Sequence, residues 1–367
     1  MTTLPSPDAP PAPGHPTLRR ALPFAPAAAL VLFLTAFPAL QSKPYPLHMG
    51  VILFLAVLQG SAWNLIGGYG GQYSIGHAAY FGVGAYAAVL LLVRLGLAPW
   101  FGLGLAMVAA AGVAAVVGSI TFRLRGPYFV LASIAAAEIL RLGALYFRNF
   151  TNGAEGFVVA EVPALHLFGL SFEFAGKLPF YFLTLALAVA AVALSRAVLR
   201  SRLGYALLAI RDDQDAAQSL GIDVPRAKNV ALALSAALTG AAGAVFAGFT
   251  RFVDPNTVFS LTDVSIEMAL ICILGGAGTV EGPVIGALLL VPLKEVLRNP
   301  RGLVTLGLFP PGSSLVGFVQ HHLSNAHQLV YGLLLVVLVL FAPDGLSGLA
   351  RRLVARRRSA SPAAASP

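Results

Sequence analysis

Long apolar runs separated by short polar or glycine-rich stretches set the pattern of this chain. Runs at 21–40, 47–66, 74–93, 99–122, 127–147, 179–199 and 230–250 each predict a helix, because each comes near the ~20 apolar residues that an α-helix needs to cross a bilayer core. The stretch 264–297 is too long for one simple helix and is interrupted by GGAGTVEGP, whose Gly and Pro stop helices. It reads either as two short spans or as one span with a re-entrant piece. A last run, 328–341, is closed by Pro343 and followed by the basic tail RRLVARRR.

Composition agrees with lipid as the main solvent. Of the 367 residues, 57% are hydrophobic and 11% charged, whereas soluble domains carry about a quarter charged residues. The fold class expected is therefore all-α, a polytopic transmembrane bundle of about ten helices spanning 21–349. The first twenty residues, rich in Pro and Ala, cannot bury enough apolar surface to fold alone and read as a disordered cytoplasmic tail. The run after them exceeds a secretory h-region and precedes many more spans, so it reads as a retained first helix. Residues 350–367 form a basic cytoplasmic tail.

The formal net charge of +9 is spread between and after the apolar runs, which excludes a nucleic-acid surface and fits the enrichment of Lys and Arg in cytoplasmic loops. Both basic ends belong inside, so the number of crossings is even. Ten crossings, with 264–297 counted as two, also place Arg123, Arg125 and the cluster Arg196, Arg200, Arg202, Arg211, Arg226 and Lys228 inside. In the outer loops Arg148, Lys177 and Arg251 are offset by Glu155, Glu161, Glu173, Asp254 and Asp263. The expected location is the bacterial inner membrane, with both termini cytoplasmic.

Chemistry is sparse. There is no GxxxxGK[ST] phosphate loop, so any ATP that drives the protein is bound by another subunit. GGYGGQ lacks the strand and βαβ context of a dinucleotide fingerprint. HExxH, GxSxG and paired cysteines are missing, so no enzyme active site is expected. The lone Cys272 excludes intrachain disulfides and a Cys-based zinc site. His321, His322 and His327 have no acidic or cysteine partners, and no metal site is assigned.

Three features remain as candidates. GGYGGQYSIGH reads either as small residues that let helices pack closely or as a broken helix lining a pathway, since irregular backbone at membrane depth is tolerated only inside protein or beside a wet cavity. Around it, Asn64, Gln72, Ser74 and His77 need hydrogen-bond partners or such a cavity. Glu138, the one acid singled out within a span, costs about 2.5–3.5 kcal/mol at a helix centre on insertion scales. It reads as an i,i+3 pair with Arg141 or as a pathway group. The third feature, SRLGYALLAIRDDQDAAQSLGIDVPRAKNVAL, is a structured cytoplasmic loop (about 200–228) with the order helix, turn, helix. Gly221 suits a C-terminal turn and Pro225 restarts the chain.

At this loop the sequence resembles the ABC importer permeases, whose cytoplasmic loop carries Glu-Ala-Ala, three residues, then Gly. Asp215, Ala216, Ala217 and Gly221 match that spacing, with Asp215 where the family pattern has Glu. The wider resemblance is to the branched-chain amino acid permeases of the LivM type. It is carried in order by NLIGGYGGQYSIGHAAYFGVGAYAAVLLL, RGPYFVLASIAAAEILRL, TNGAEGF, the loop, ILGGAGTVEGPVIGA and YGLLLVVLVLFAPDGLSGL. The resemblance implies a heteromeric importer with a second permease, two cytoplasmic ATPase subunits and an extracytoplasmic substrate-binding protein. It assigns Asp215, Ala216, Ala217 and Gly221 to ATPase coupling and a neutral aliphatic amino acid as cargo. Urea, short amides or other amino acids are alternative cargoes within the same architecture. A proton-coupled secondary carrier is a separate class, which calls for inverted repeats and several unpaired intramembrane acids.

Overall fold

The computed structural model describes residues 24–40, 44–96, 99–159, 165–167, 170–172 and 176–298, with a few positions between 329 and 348. The expected tails 1–20 and 350–367 and the histidine trio lie outside the described residues, and the run 328–341 lies almost wholly outside them. The first helix, α1 (Phe24–Leu40), belongs to a unit of its own, residues 1–42.

The described part of the second unit is helical almost throughout, and its helices follow the apolar runs. They are α2 (Pro44–Trp63), α3 (His77–Leu95), α4 (Pro99–Thr121), α5 (Pro127–Tyr146), the single turn α6 (Arg148–Thr151) and α7 (Lys177–Leu199). There follow the short α8 (Arg202–Asp212) and α9 (Gln214–Ser219), then α10 (Val224–Thr250), α11 (Pro255–Val258), α12 (Glu267–Gly276) and α13 (Gly282–Arg298). Seven helical stretches among the described residues are long and apolar enough to cross a bilayer.

Proline and small capping acids set several starts. Pro127, Pro225 and Pro255 sit at the first positions of α5, α10 and α11, where the missing N–H has no intrahelical role. Asp223 and Asp254 accept bonds from the free amides of the first turns of α10 and α11. This explains why α10 begins six residues before the apolar run at 230. Its first turn is polar but well capped.

Helices α2 and α10 form the core. Some 72% of the α2 span and 67% of α10 are buried, against 22% of α4 and of α5, so the outer faces of α4 and α5 are left for lipid or another subunit. Helix α10 lies against both α3 and α4. A methyl built on Gly240 would lie 2.6 Å from both the Ala106 carbonyl oxygen and the Ala110 Cβ, and one on Gly84 would overlap Gly240 itself. Backbone-to-backbone contact of this kind is how helices gain dispersion energy where lipid removes the hydrophobic drive.

Two breaks interrupt the bundle. Helix α2 continues into a π-turn, Asn64–Gly68, and the chain is then irregular until His77 opens α3. The second break lies between α12 and α13, where GGAGTVEGP resolves into two helices joined at 277–281. A π-turn, Leu261–Ile266, leads into α12. α12 and α13 pair as a hairpin, with Gly275 against Gly282 near the turn and the Glu267–Lys294 ion pair farther along. Two small β-pairs lie in the connections: β1 (Phe157–Val158) with β4 (Phe252–Val253), and β2 (Leu165–Leu167) with β3 (Leu170–Phe172).

Candidate coupling site and paired helix breaks

The helix, turn, helix order expected for 200–228 is present. Ser201 caps α8, its hydroxyl accepting from the Gly204 amide at 3.4 Å. Asp213 caps α9, its carboxylate accepting from the Asp215 and Ala216 amides at 2.9 and 3.0 Å, and Asp215 adds negative charge to the first turn, where the helix dipole favours it. Gly221 ends the element at φ +85°, a left-handed conformation that costs glycine least.

The four matched residues divide by exposure. Ala217 is buried in an apolar cluster with Ile210 and Val224, and this cluster seats the two short helices against the first turn of α10. Asp215, Ala216 and Gly221 face outward, and Leu220 beside them is 83% exposed, an apolar side chain presented on an otherwise polar surface. Asp215 pairs with Arg125 of the α4–α5 turn at 2.8 Å. Both partners are largely exposed, so this pair holds position but contributes at most about 1 kcal/mol. Lys228, fully buried, donates to Gln214 Oε1 at 2.6 Å and lies 5.9 Å from the Phe122 ring centroid. Arg211 is exposed overall, but its Nη1 donates to the Gly68 carbonyl oxygen at 3.0 Å.

Asn64, Gln72, Ser74 and His77 each make at least one hydrogen bond, whereas the buried Tyr69 hydroxyl and His77 Nδ1 make none among the described residues. Asn64 is fully buried, donating from Nδ2 to the Thr279 carbonyl at 2.8 Å and accepting at Oδ1 from the Gly278 amide at 2.8 Å and the Cys272 thiol at 3.2 Å. It therefore ties the first break to the second. The Ser74 carbonyl accepts from the Trp63 indole at 2.7 Å, and the Ser74 hydroxyl accepts from the Gly76 amide at 3.3 Å. His77 Nε2 lies 2.8 Å from Ser235 Oγ. Since Ser235 donates its own proton to the Ala62 carbonyl, His77 is the donor there. Gln72 is half-buried and donates to the Gly70 carbonyl at 3.3 Å. The break is also anchored from outside itself: Ser133 of α5 accepts from the Ile75 amide at 3.1 Å, and Ser265 accepts from Ala78 at 2.7 Å.

Glu138 stands apart from both breaks, on α5. Its carboxylate takes bonds from Arg141 Nε and Nη2, while Arg141 Nη1 donates to Asn256 Oδ1 at 2.8 Å. The i,i+3 pair thus also pins α5 to α11. Glu138→Gln is expected to lower the yield of folded protein, because it weakens the partner that holds a guanidinium at membrane depth, and to leave uptake per folded molecule unchanged. Fluorescence-detected size exclusion combined with uptake tests this. Full yield with lost uptake would instead make Glu138 a pathway group.

Glu138 is not the only acid within the helices. Glu267 pairs with Lys294, and Glu295 accepts from the Tyr45 hydroxyl at 3.2 Å. The Glu267–Lys294 pair spans 27 positions across a hairpin, beyond the reach of i,i+3 or i,i+4 reasoning. An apolar cavity of about 930 Å³ lies between α3, α4, α5 and α6. Its one charged lining residue is Arg94, whose Nη2 already donates to the Asn149 and Phe150 carbonyls. The cavity holds none of the candidate residues.

Among known families, that described as the branched-chain amino acid transport system permease component matches residues 47–341. The chain belongs to this family. The permease match covers both breaks and the α8–α9 element, and it makes the chain a multi-pass membrane component of a transport system. One relative is the high-affinity branched-chain amino acid transport system permease protein LivM of Escherichia coli K12, 28% identical over 302 residues, covering 76% of this chain and 70% of the relative. The probable branched-chain amino acid transport permease LivM of Methanocaldococcus jannaschii is 24% identical over 281 residues, 73% and 77% of the two chains. The probable LivH permease of that organism is 27% identical over 287 residues, 74% and 81%. That one permease sequence aligns with both LivM and LivH fits subunits that share one architecture. No solved structure matches the chain.

Proposed function

We propose that this permease is one of two related membrane subunits of an ATP-driven importer that carries branched-chain, neutral aliphatic amino acids across the inner membrane. The observation that carries the reading is the α8–α9 element, a capped helix pair seated on α10 that presents Asp215, Ala216, Leu220 and Gly221 outward. A solvated loop needs no such anchoring, while a docking surface for a soluble motor subunit does.

In this reading both termini and α8–α9 are cytoplasmic, two ATPase subunits bind and hydrolyse ATP there, and a substrate-binding protein delivers cargo on the other side. No cofactor is held by this chain. The cargo class follows from the names of the relatives. The outer faces of α4 and α5, little buried within this chain, are available to the second permease and to lipid. Alternating access then proceeds by small rigid shifts of packed helices about the breaks.

Mild-detergent purification of the tagged chain from native membranes, followed by mass spectrometry, tests this. Recovery of two ATPases and a second permease is the expected result, and leucine, isoleucine or valine bound to the associated binding protein fixes the cargo. Recovery of the chain alone, active in transport without ATP, sinks the importer reading. A urea or amide ligand on the binding protein would correct the cargo only.

A further inference from the structure

One side chain links the outward-facing element to both breaks. Arg211 stands in the last turn of α8. Its stem crosses the first break, where a methyl on Gly71 would lie 2.7 Å from Arg211 Cγ. Its guanidinium enters the gap between the breaks, bonding the Gly68 carbonyl and lying so close to Gly278 that a Cβ there would strike Nη1. Gly71 and Gly278 have φ of +64° and +81°, so both turns are shaped by residues that tolerate this backbone and leave room for the arginine.

The electrostatics favour a cation here. The π-turn after α2 ends at Gly68 and α12 ends at Gly276. Each helix terminates in carbonyls without intrahelical donors and carries partial negative charge. Asn64 closes the two breaks on each other from within, through Gly278 and Thr279. Arg211 meets the same junction from the side of the α8–α9 element, bonded to the Gly68 carbonyl and packed against Gly278.

We infer that Arg211 is a positioning residue through which the coupling element sets how tightly the two helix breaks are held together, and so converts motion at the ATPase surface into opening of the pathway. The inference rests on the reading of α8–α9 as the coupling element. It adds the route by which the displacement reaches the bundle interior.

The test uses the intact complex in proteoliposomes, with ATP hydrolysis and leucine uptake measured on the same preparation. Arg211→Met keeps the stem over Gly71 and removes every donor. Its expected phenotype is normal insertion and normal recovery of the ATPases, hydrolysis close to the parent, and uptake per ATP lowered about tenfold, the scale of an allosteric coupling. Arg211→Lys, which keeps the charge on a single donor nitrogen, is expected to recover part of that ratio. Gly278→Ala reaches the same contact from the other side and is expected to lower the ratio too. An unchanged ratio in Arg211→Met and Gly278→Ala overturns the inference. So does loss of ATPase recovery in Arg211→Met, which would make the arginine part of the docking surface, or failure of both variants to insert, which would make the contact structural only. Absence of ATPases from the parent preparation would instead overturn the importer reading.

Discussion

Asp215→Arg and Gly221→Pro are each expected to abolish amino acid uptake while leaving the chain in the membrane at the parental level. Asp215 is exposed and its ion pair with Arg125 is exposed on both sides, so its loss costs the fold at most about 1 kcal/mol. An arginine there reverses the sign of the presented surface, sets two guanidinium groups side by side and places a cation at the positive end of α9. Gly221→Pro acts through backbone geometry. No atom lies within 4 Å of a Cβ at this position, so nothing clashes. Proline, however, fixes φ near −65°, which is incompatible with the +85° that turns the chain from α9 into α10. The turn must be rebuilt, and with it the orientation of Leu220 and Ala216. Membrane-fraction blots and uptake of labelled leucine check both variants, and wild-type uptake by both refutes the assignment of α8–α9 to coupling.

Gly240→Val is expected to abolish the folded bundle, whereas Gly104→Val is tolerated. Both glycines lie in long apolar helices, so sequence alone ranks them together. At Gly240 the first added carbon already meets the Ala106 carbonyl oxygen and Ala110 Cβ at 2.6 Å. Those atoms belong to α4, whose backbone would have to withdraw along the whole crossing. Overpacking a rigid contact costs about 1–3 kcal/mol per site, and a branched residue against backbone falls at the upper end or beyond. At Gly104 nothing lies within 4 Å. Thermal stability in detergent, followed by size exclusion, separates the two. Equal stability of both variants would show that α10 is not packed backbone-to-backbone against α4.

The apolar runs made the spans legible because lipid imposes a length and a composition that few other environments do. Boundaries were less legible wherever polar residues belong to the helix. The first two turns of α10 carry Arg226, Lys228 and Asn229, and a search for apolar runs passes over them although Asp223 and Pro225 mark the start. The run beginning at Ser74 errs in the other direction, since Ser74 and Gly76 are part of the break and α3 opens at His77. The sequence also left open whether the glycines of 67–76 meant close packing or a break. Both are present: the π-turn and the irregular segment after it are a break, and its glycines are closely packed, since a methyl on Gly68 would lie 2.6 Å from the Gly278 amide nitrogen and one on Gly76 would overlap the Ser133 carbonyl oxygen.

The site was legible in its local grammar and not in its long-range pairing. Helix, turn, helix with Gly221 at the end follows from capping and turn rules that act over a few residues. Nothing of that range joins Asn64 to Thr279, 215 positions away, or Arg211 to Gly68, 143 positions away. One weak signal was available for Arg211: a helix interrupted at clustered glycines leaves backbone carbonyls that a long basic side chain can reach.

The burial of Cys272 has a practical consequence. The chain contains a single cysteine, and its thiol is fully enclosed and donated to Asn64, out of contact with aqueous reagents. The native protein is thus its own silent background for thiol chemistry. A cysteine introduced at Ala216 or Leu220 would be the group that a maleimide dye meets, and shielding of that dye by added ATPase subunit would map the docking face without removing any native residue from the interior.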